Sequence, residues 1–298
     1  MIEKKIKALI PTGFGLNCDN ETAYCLELAG ADVDLKHFNE IFKNSEMLHD
    51  YQIMALGGGF SWGDDHGAGL IEAKRMQRNL GKNLVDSSAF YQMPTAPIEE
   101  NRGKDLYKFI DDGKLIIGIC NGAQTVLNLG ILPGFDSNYK KQSVAFTYND
   151  CGNFRDQWVG LKINPKSNCV FTKDIDYIKL PVRHGEGKFI TDGETFGKIV
   201  GNNQYVMQYC DMETGKLADG KFPKNPNGSI ADIAGICDPT GRIFALMPHP
   251  EAFNHATNDP LYTRKKYEYD KAGKDMPKEG DGVKIFRNAV EFARENLV

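Results

Sequence analysis

Nowhere in its 298 residues does the sequence hold an apolar run long enough to cross a bilayer, so a membrane-spanning helix is not expected. It also has no surplus of positive charge. Against 36 basic side chains stand 40 acidic ones, a net charge of -4, which makes the phosphate backbone of a nucleic acid an unlikely partner. The opening MIEKKIKALIP has lysines but neither the apolar core nor the small-residue cleavage site of a secretory leader. The seven cysteines are odd in number and scattered, in a chain too large to depend on disulfides, and point to a reducing cytoplasm. No metal spacing stands out. Asp64, Asp65 and His66 adjoin, yet no further ligand has a matching spacing, so a solvated loop without metal is expected there.

What is present is an alternation of short apolar runs and amphipathic segments. Ile6 to Ile10, Val33 to Phe38, Tyr51 to Leu56 and Leu115 to Ile119 have the length and composition of buried strands, while Glu21 to Ala29, stopped by Gly30, and Leu70 to Leu80 suit helices. Strand, helix, strand, helix predicts an α/β fold of three layers, a mostly parallel central sheet with helices on both faces in the flavodoxin-like manner. Beyond Pro133 the β-like runs Ser143 to Tyr148, Gln157 to Ile163, Gln204 to Tyr209, Ile230 to Ile236 and Arg242 to Met247 should extend or flank that sheet. Residues 82–104 and 254–282 fit neither pattern and are expected as surface insertions of a single domain spanning residues 1–298. Val283 to Leu297 has the spacing of a closing amphipathic helix.

The chemistry concentrates where the apolar run LIIGI ends in Gly118-Ile119-Cys120-Asn121-Gly122 and a helix follows at once. Flanking glycines permit a sharp strand-to-helix turn with one side chain standing at the sheet edge, the arrangement of a nucleophile elbow. The helix N-terminus behind Cys120 favours a thiolate, the nucleophilic form. An inert core cysteine would need no such frame. A base is offered by MPHPEAF: prolines 248 and 250 exclude a regular helix and bias Met247 and His249 to extended geometry, which would put His249 and Glu251 on one side of the chain. Glu251 could then orient the imidazole, although a histidine that merely caps a turn is the alternative. Acyl transfer also needs N–H donors for the oxyanion, available from Gly57, Gly58 or Gly59 after a strand and from Asn121 after the nucleophile. The glycine-rich GGGFSWG lacks the Lys-Ser/Thr ending of a phosphate-binding loop.

With Cys120, His249 and Glu251 in that order, the sequence resembles the class I glutamine amidotransferases. GFGLNCDNE, GGGFSWGD, GICNGAQ, RHGEG, NPNGS and MPHPE, spread between residues 13 and 253, resemble more narrowly the glutaminase component of phosphoribosylformylglycinamidine synthase, which serves de novo purine biosynthesis. The resemblance implies a Cys-His-Glu triad, oxyanion donors at Gly59 and Asn121, and Gln124 as a holder of bound L-glutamine. It implies ammonia passed to a large synthetase subunit that uses ATP and magnesium, in some systems with a small bridging subunit, and no cofactor in this chain. His184 in RHGEG matches the motif without a derivable role, and Cys18 matches without an elbow around it. Two alternatives share parts of the pattern. An amidotransferase serving another acceptor would keep the triad, and a cysteine-elbow chaperone or peptidase would not require the His-Pro-Glu segment with Gln124.

Overall fold

The computed structural model describes residues 5–80 and 103–298. Along the chain run β1 (Lys7–Thr12), α1 (Asp19–Leu28), β2 (Asp32–His37), α2 (Phe38–Lys43), β3 (Ile53–Leu56), α3 (Leu70–Asn79), α4 (Lys104–Asp111), β4 (Leu115–Ile119) and α5 (Asn121–Asn128). They are followed by β5 (Val144–Thr147), β6 (Arg155–Ile163), β7 (Tyr177–His184), β8 (Lys188–Thr191), α6 (Gly193–Gly201), β9 (Tyr205–Cys210), β10 (Ile233–Cys237), β11 (Ile243–Leu246), α7 (Tyr262–Lys271) and α8 (Val283–Asn296).

Nine strands form one mixed sheet in the order β2-β1-β3-β4-β11-β10-β9-β6-β7, and β5 pairs with β8 in a separate ribbon. From β2 to β11 the pairing is parallel, and beyond β11 every neighbour is antiparallel. IMAL of β3 and LIIGI of β4 are buried at every position, as strands covered on both faces must be, while edge strand β2 buries none of its residues fully.

The chain leaves β1 toward β2 in one direction and leaves β3 toward β4 in the other. Right-handed crossovers therefore send the two connections to opposite faces of the sheet. α1 packs with α8, and α3 packs with α5. Where the direction reverses, a crevice opens at the carboxyl ends of β1 and β3, the usual ligand site of an open α/β sheet. Two glycine-rich loops meet there, joined by an isolated bridge between Leu16 and Gly59.

Several expectations change in detail. Ser143 to Tyr148 becomes β5, which flanks the sheet by packing on α5 instead of joining it. Ile230 to Ile236 starts as a single turn, because Ala231 and Asp232 take positive φ, and only then enters β10. The edge strand β7 escapes the sequence reading, although Ile178, Leu180 and Val182 alternate, because Pro181 in its middle, which an edge tolerates, argues against a strand. α6 carries three glycines and gives no helical signal. Insertion 82–104 lies outside the described residues except for 103 and 104, where α4 begins. Insertion 254–282 contains α7, which buries none of its residues.

Between α3 and α5 lies a buried acid, Glu72, fully shielded from solvent, with both carboxylate oxygens lacking a hydrogen-bond partner. Burial pushes its carboxyl from 4.5 up to about 8, against a smaller opposing pull from the Ser61 and Thr125 hydroxyls. A carboxyl raised in the folded state costs nothing below its ordinary range and costs progressively more as pH climbs toward the raised value. Glu72→Gln should therefore stabilise the protein by up to about 3 kcal/mol at pH 7 and by much less at pH 4. Urea midpoints of both proteins at the two pH values measure this.

Candidate active site

β4 delivers Cys120 to the crevice at φ 52° and ψ -106°, a backbone shape that side chains rarely adopt. Its N–H donates to the Leu246 carbonyl of β11 at 2.9 Å, and its carbonyl accepts from Gln124 N–H at 3.0 Å. The glycine frame is required by close packing. A Cβ at Gly122 would overlap the Leu56 carbonyl of β3, and one at Gly118 would come within 2.6 Å of the Gly122 carbonyl. Gly122 N–H also donates to Gly57 C=O at 3.1 Å, tying the elbow to the neighbouring loop.

His249 follows β11, held by its N–H on the Pro181 carbonyl at 2.8 Å. Its Nδ1 lies 2.5 Å from Glu251 Oε1, and both side chains are buried. His249 is extended, as expected, but Glu251 sits in a 3-10 turn, Pro250–Phe253, that curls back toward the imidazole. The shared side of the chain thus arises from a turn started by Pro250, not from continued extension. Burial alone would lower the His249 pKa, but the Glu251 carboxylate and the Cys120 sulfur beside it outweigh burial and hold it well above the usual imidazole range. His249 Nε2 has no hydrogen-bond partner. It is a buried nitrogen with unused capacity, lining the same cavity as Cys120.

Two backbone N–H groups near the elbow are left out of the ladder and helix hydrogen bonds. In the bridge between the glycine-rich loops, Phe60 N–H bonds Gly15 C=O and Asn17 N–H bonds Gly58 C=O, so Gly59 occupies the non-bonded position and its N–H stays out of the ladder. Gly59 has φ +145°, and a Cβ there would stand 2.7 Å from Leu16 Cα. Asn121 N–H, at the first position of α5, has no intrahelical acceptor. The Asn121 side chain fixes the two donors relative to one another: Oδ1 accepts from Ser61 N–H at 3.3 Å, and Nδ2 donates to Asp64 Oδ1 at 3.0 Å and Gln124 Oε1 at 3.3 Å. Gln124 in turn donates from Nε2 to the Glu186 carbonyl at 2.6 Å.

Gly59, Cys120, Gln124 and His249 line a cavity of about 610 Å³ that also includes Cys18, Asp64, Arg183 and Glu186. His184 finds a role on its rim. Its ring is 3.1 Å from Asn149 Oδ1 through Nδ1 and meets Asn227 Nδ2 at Nε2, so it links RHGEG to the turn after β5 and to NPNGS. Burial, with His249 adding to it, pushes His184 down to about 3, so it stays neutral and serves as a structural hub. Asp64 departs from the expected solvated loop. Asp65 and His66 are exposed, but Asp64 is half-buried and enters the cavity. No spacing rule singles out Asp64 or Glu186, because they come from loops 122 residues apart and only the fold joins them.

Residues 5–293 match the family of CobB/CobQ-like glutamine amidotransferase domains. A phosphoribosylformylglycinamidine synthase subunit PurQ of Methanococcus maripaludis is 40% identical over 98% of this chain and 99% of its own. Its counterpart from Dehalococcoides mccartyi is 41% identical over the same shares. The chain belongs to the glutaminase-subunit family of phosphoribosylformylglycinamidine synthase. A chain in the structure of PurLQS from Thermotoga maritima superimposes with a TM-score of 0.63 at 24% identity, over 97% of this chain and 99% of that one, which speaks to the shared amidotransferase fold.

Gly58 tests the packing of this family site. A Cβ there would lie 2.8 Å from His249 Cε1 and 3.1 Å from Cys18 Sγ, on a backbone without positive φ. Gly58→Ala should keep the melting temperature within a few degrees while displacing the imidazole. Inactivation of Cys120 by a glutamine-mimicking electrophile should slow by roughly 100-fold.

Proposed function

We propose that this chain hydrolyses L-glutamine to glutamate and ammonia, and that the ammonia serves the phosphoribosylformylglycinamidine synthase reaction of de novo purine biosynthesis. The observation that carries the chemistry is the strained Cys120 facing a cavity shared with His249, whose Nδ1 is held by Glu251 and whose Nε2 is free. Cys120 Sγ attacks the side-chain amide carbon, and negative charge gathers on the amide oxygen. The N–H groups of Gly59 and Asn121 receive that charge. His249 gives its proton to the departing nitrogen, which leaves as ammonia with the C–N bond broken and a γ-glutamyl thioester formed. The same imidazole then takes a proton from water as the hydroxyl adds to the thioester, and the C–S bond breaks to release glutamate and restore Cys120. Glu251 orients the imidazole and stabilises its charged form. Gln124, on the cavity wall, holds the substrate.

None of these steps calls for a cofactor in this chain, and the step that uses ATP and magnesium belongs to a large synthetase subunit that receives the ammonia. A small bridging subunit completes the assembly. The Thermotoga maritima structure named PurLQS motivates both partners. We place the protein in the cytoplasm, where a catalytic thiol stays reduced. Among the described residues no helix is long and apolar enough to cross a membrane.

The test is Cys120→Ala combined with the synthetase. Glutamine-dependent turnover should fall by roughly 1,000-fold or more, while turnover fed by ammonium salts survives. Loss of both would make Cys120 a structural residue, and loss of neither would remove it from the mechanism.

A further inference from the structure

Cys18 lines the same cavity as Cys120, and the steps above give it no task. Its backbone is fixed: its N–H bonds the Gly58 carbonyl at 3.2 Å, and its own carbonyl accepts from Thr22 Oγ1 at 2.6 Å. The thiol itself is held only weakly, by a 3.5 Å contact with the adjoining Asn17 Oδ1. Gly58 has no side chain to keep this sulfur from the imidazole, since a Cβ there would lie 2.8 Å from His249 Cε1 and 3.1 Å from Cys18 Sγ. Cys18 Sγ, a His249 ring nitrogen and a Glu251 carboxylate oxygen all lie within 4.8 Å of one another. His249 Nε2 and Glu251 Oε2 are buried without a hydrogen-bond partner. Converging sulfur, nitrogen and oxygen donors with unused capacity are the ligand set of a borderline-soft divalent cation such as zinc, whereas magnesium and calcium favour oxygen.

We propose that Cys18, His249 and Glu251 form a site for zinc or a cation of its class, and that filling it switches off glutamine hydrolysis. The switch rests on the glutaminase activity proposed above; the binding itself does not. Metal bonds of about 2.0 Å to nitrogen and oxygen and about 2.3 Å to sulfur put tetrahedral donors roughly 3.3–3.6 Å apart. The three donors therefore draw in by at most about 1.5 Å from their separations here. Burial holds the Cys18 thiol above its ordinary range, while His249 beside it pulls the other way. The metal takes the place of the thiol proton and of the imidazole proton, both released to solvent. One thiolate and one carboxylate then balance its two charges, in a place where burial penalises each of them unpaired. With the imidazole held as a metal ligand, its pairing with Glu251 and its proton transfer to the leaving ammonia are lost. The site needs no ligand from Cys120.

Two measurements test this. In the assembled complex, chelator-buffered zinc should inhibit glutamine-dependent turnover while turnover fed by ammonium salts continues at its zinc-free rate. Cys18→Ser, compared with its own zinc-free rate, should need roughly 100-fold more free zinc for the same inhibition. In the full-length chain carrying Cys120→Ala, cobalt(II) should bind with the intense near-ultraviolet absorption of a thiolate ligand, and adding Cys18→Ser should abolish that band. Equal zinc sensitivity of wild type and Cys18→Ser would assign the metal to Cys120 and His249 and overturn the proposal. Glutamine turnover indifferent to zinc, no thiolate band in Cys120→Ala, or a band surviving in the double variant would overturn it as well. The cobalt result decides the site even where Cys18→Ser impairs the complex. A metal-free complex that hydrolyses no glutamine would overturn the glutaminase activity and the switch, and the cobalt band would still decide whether the metal binds.

Discussion

The left-handed backbone of Cys120 is the constraint on which the rest of the site depends. Such a conformation costs about 1–3 kcal/mol and persists only where the surroundings over-determine it. Here β4 is buried at every position, α5 is buried over almost its whole length, and Gly118 and Gly122 let helix, elbow and β3 approach to backbone contact. Relaxing Cys120 would require pulling α5 away from the Leu56 carbonyl. The strain is therefore borne by the core, and it keeps the thiol at the sheet edge.

Around that point the protein buries polar groups it does not satisfy. His249 Nε2 and Glu251 Oε2 both lack partners, as does the acid Glu72 behind the elbow. In a core selected for stability alone such atoms would be paired or replaced by apolar ones. Nδ1 is occupied by Glu251, which leaves Nε2 as the ring nitrogen available for proton transfer. The raised pKa of His249 keeps a proton on the imidazole for the leaving ammonia. The neutral His184 nearby adds no competing charge.

The parallel half of the sheet was legible in the sequence because Ile6 to Ile10, Tyr51 to Leu56 and Leu115 to Ile119 are continuous apolar runs, which only burial on both faces explains. Cys120 was legible through its two glycines, and His249 with Glu251 through the two prolines, although the turn that joins them was not. What stayed hidden has tertiary causes. β7 is an edge strand whose Pro181 breaks the alternation but whose carbonyl anchors His249. Asn149 is unremarkable alone, and His184 in RHGEG and Asn227 in NPNGS matched motifs without a role, because the network forms only when three loops converge. Asp64 looked like part of a solvated acidic loop because its neighbours are exposed, and only the fold brings it against the Asn121 side chain, which donates to its Oδ1.

The central claim is that Cys120 becomes acylated during turnover. Its most direct test is rapid acid quenching of the assembled complex with carbon-labelled glutamine, followed by proteolysis and mass analysis. A γ-glutamyl adduct on the Cys120 peptide, formed and consumed at rates compatible with glutamate release, is the predicted result. Glutamate release with no adduct, or with the label on Cys18 or any other residue, would contradict it.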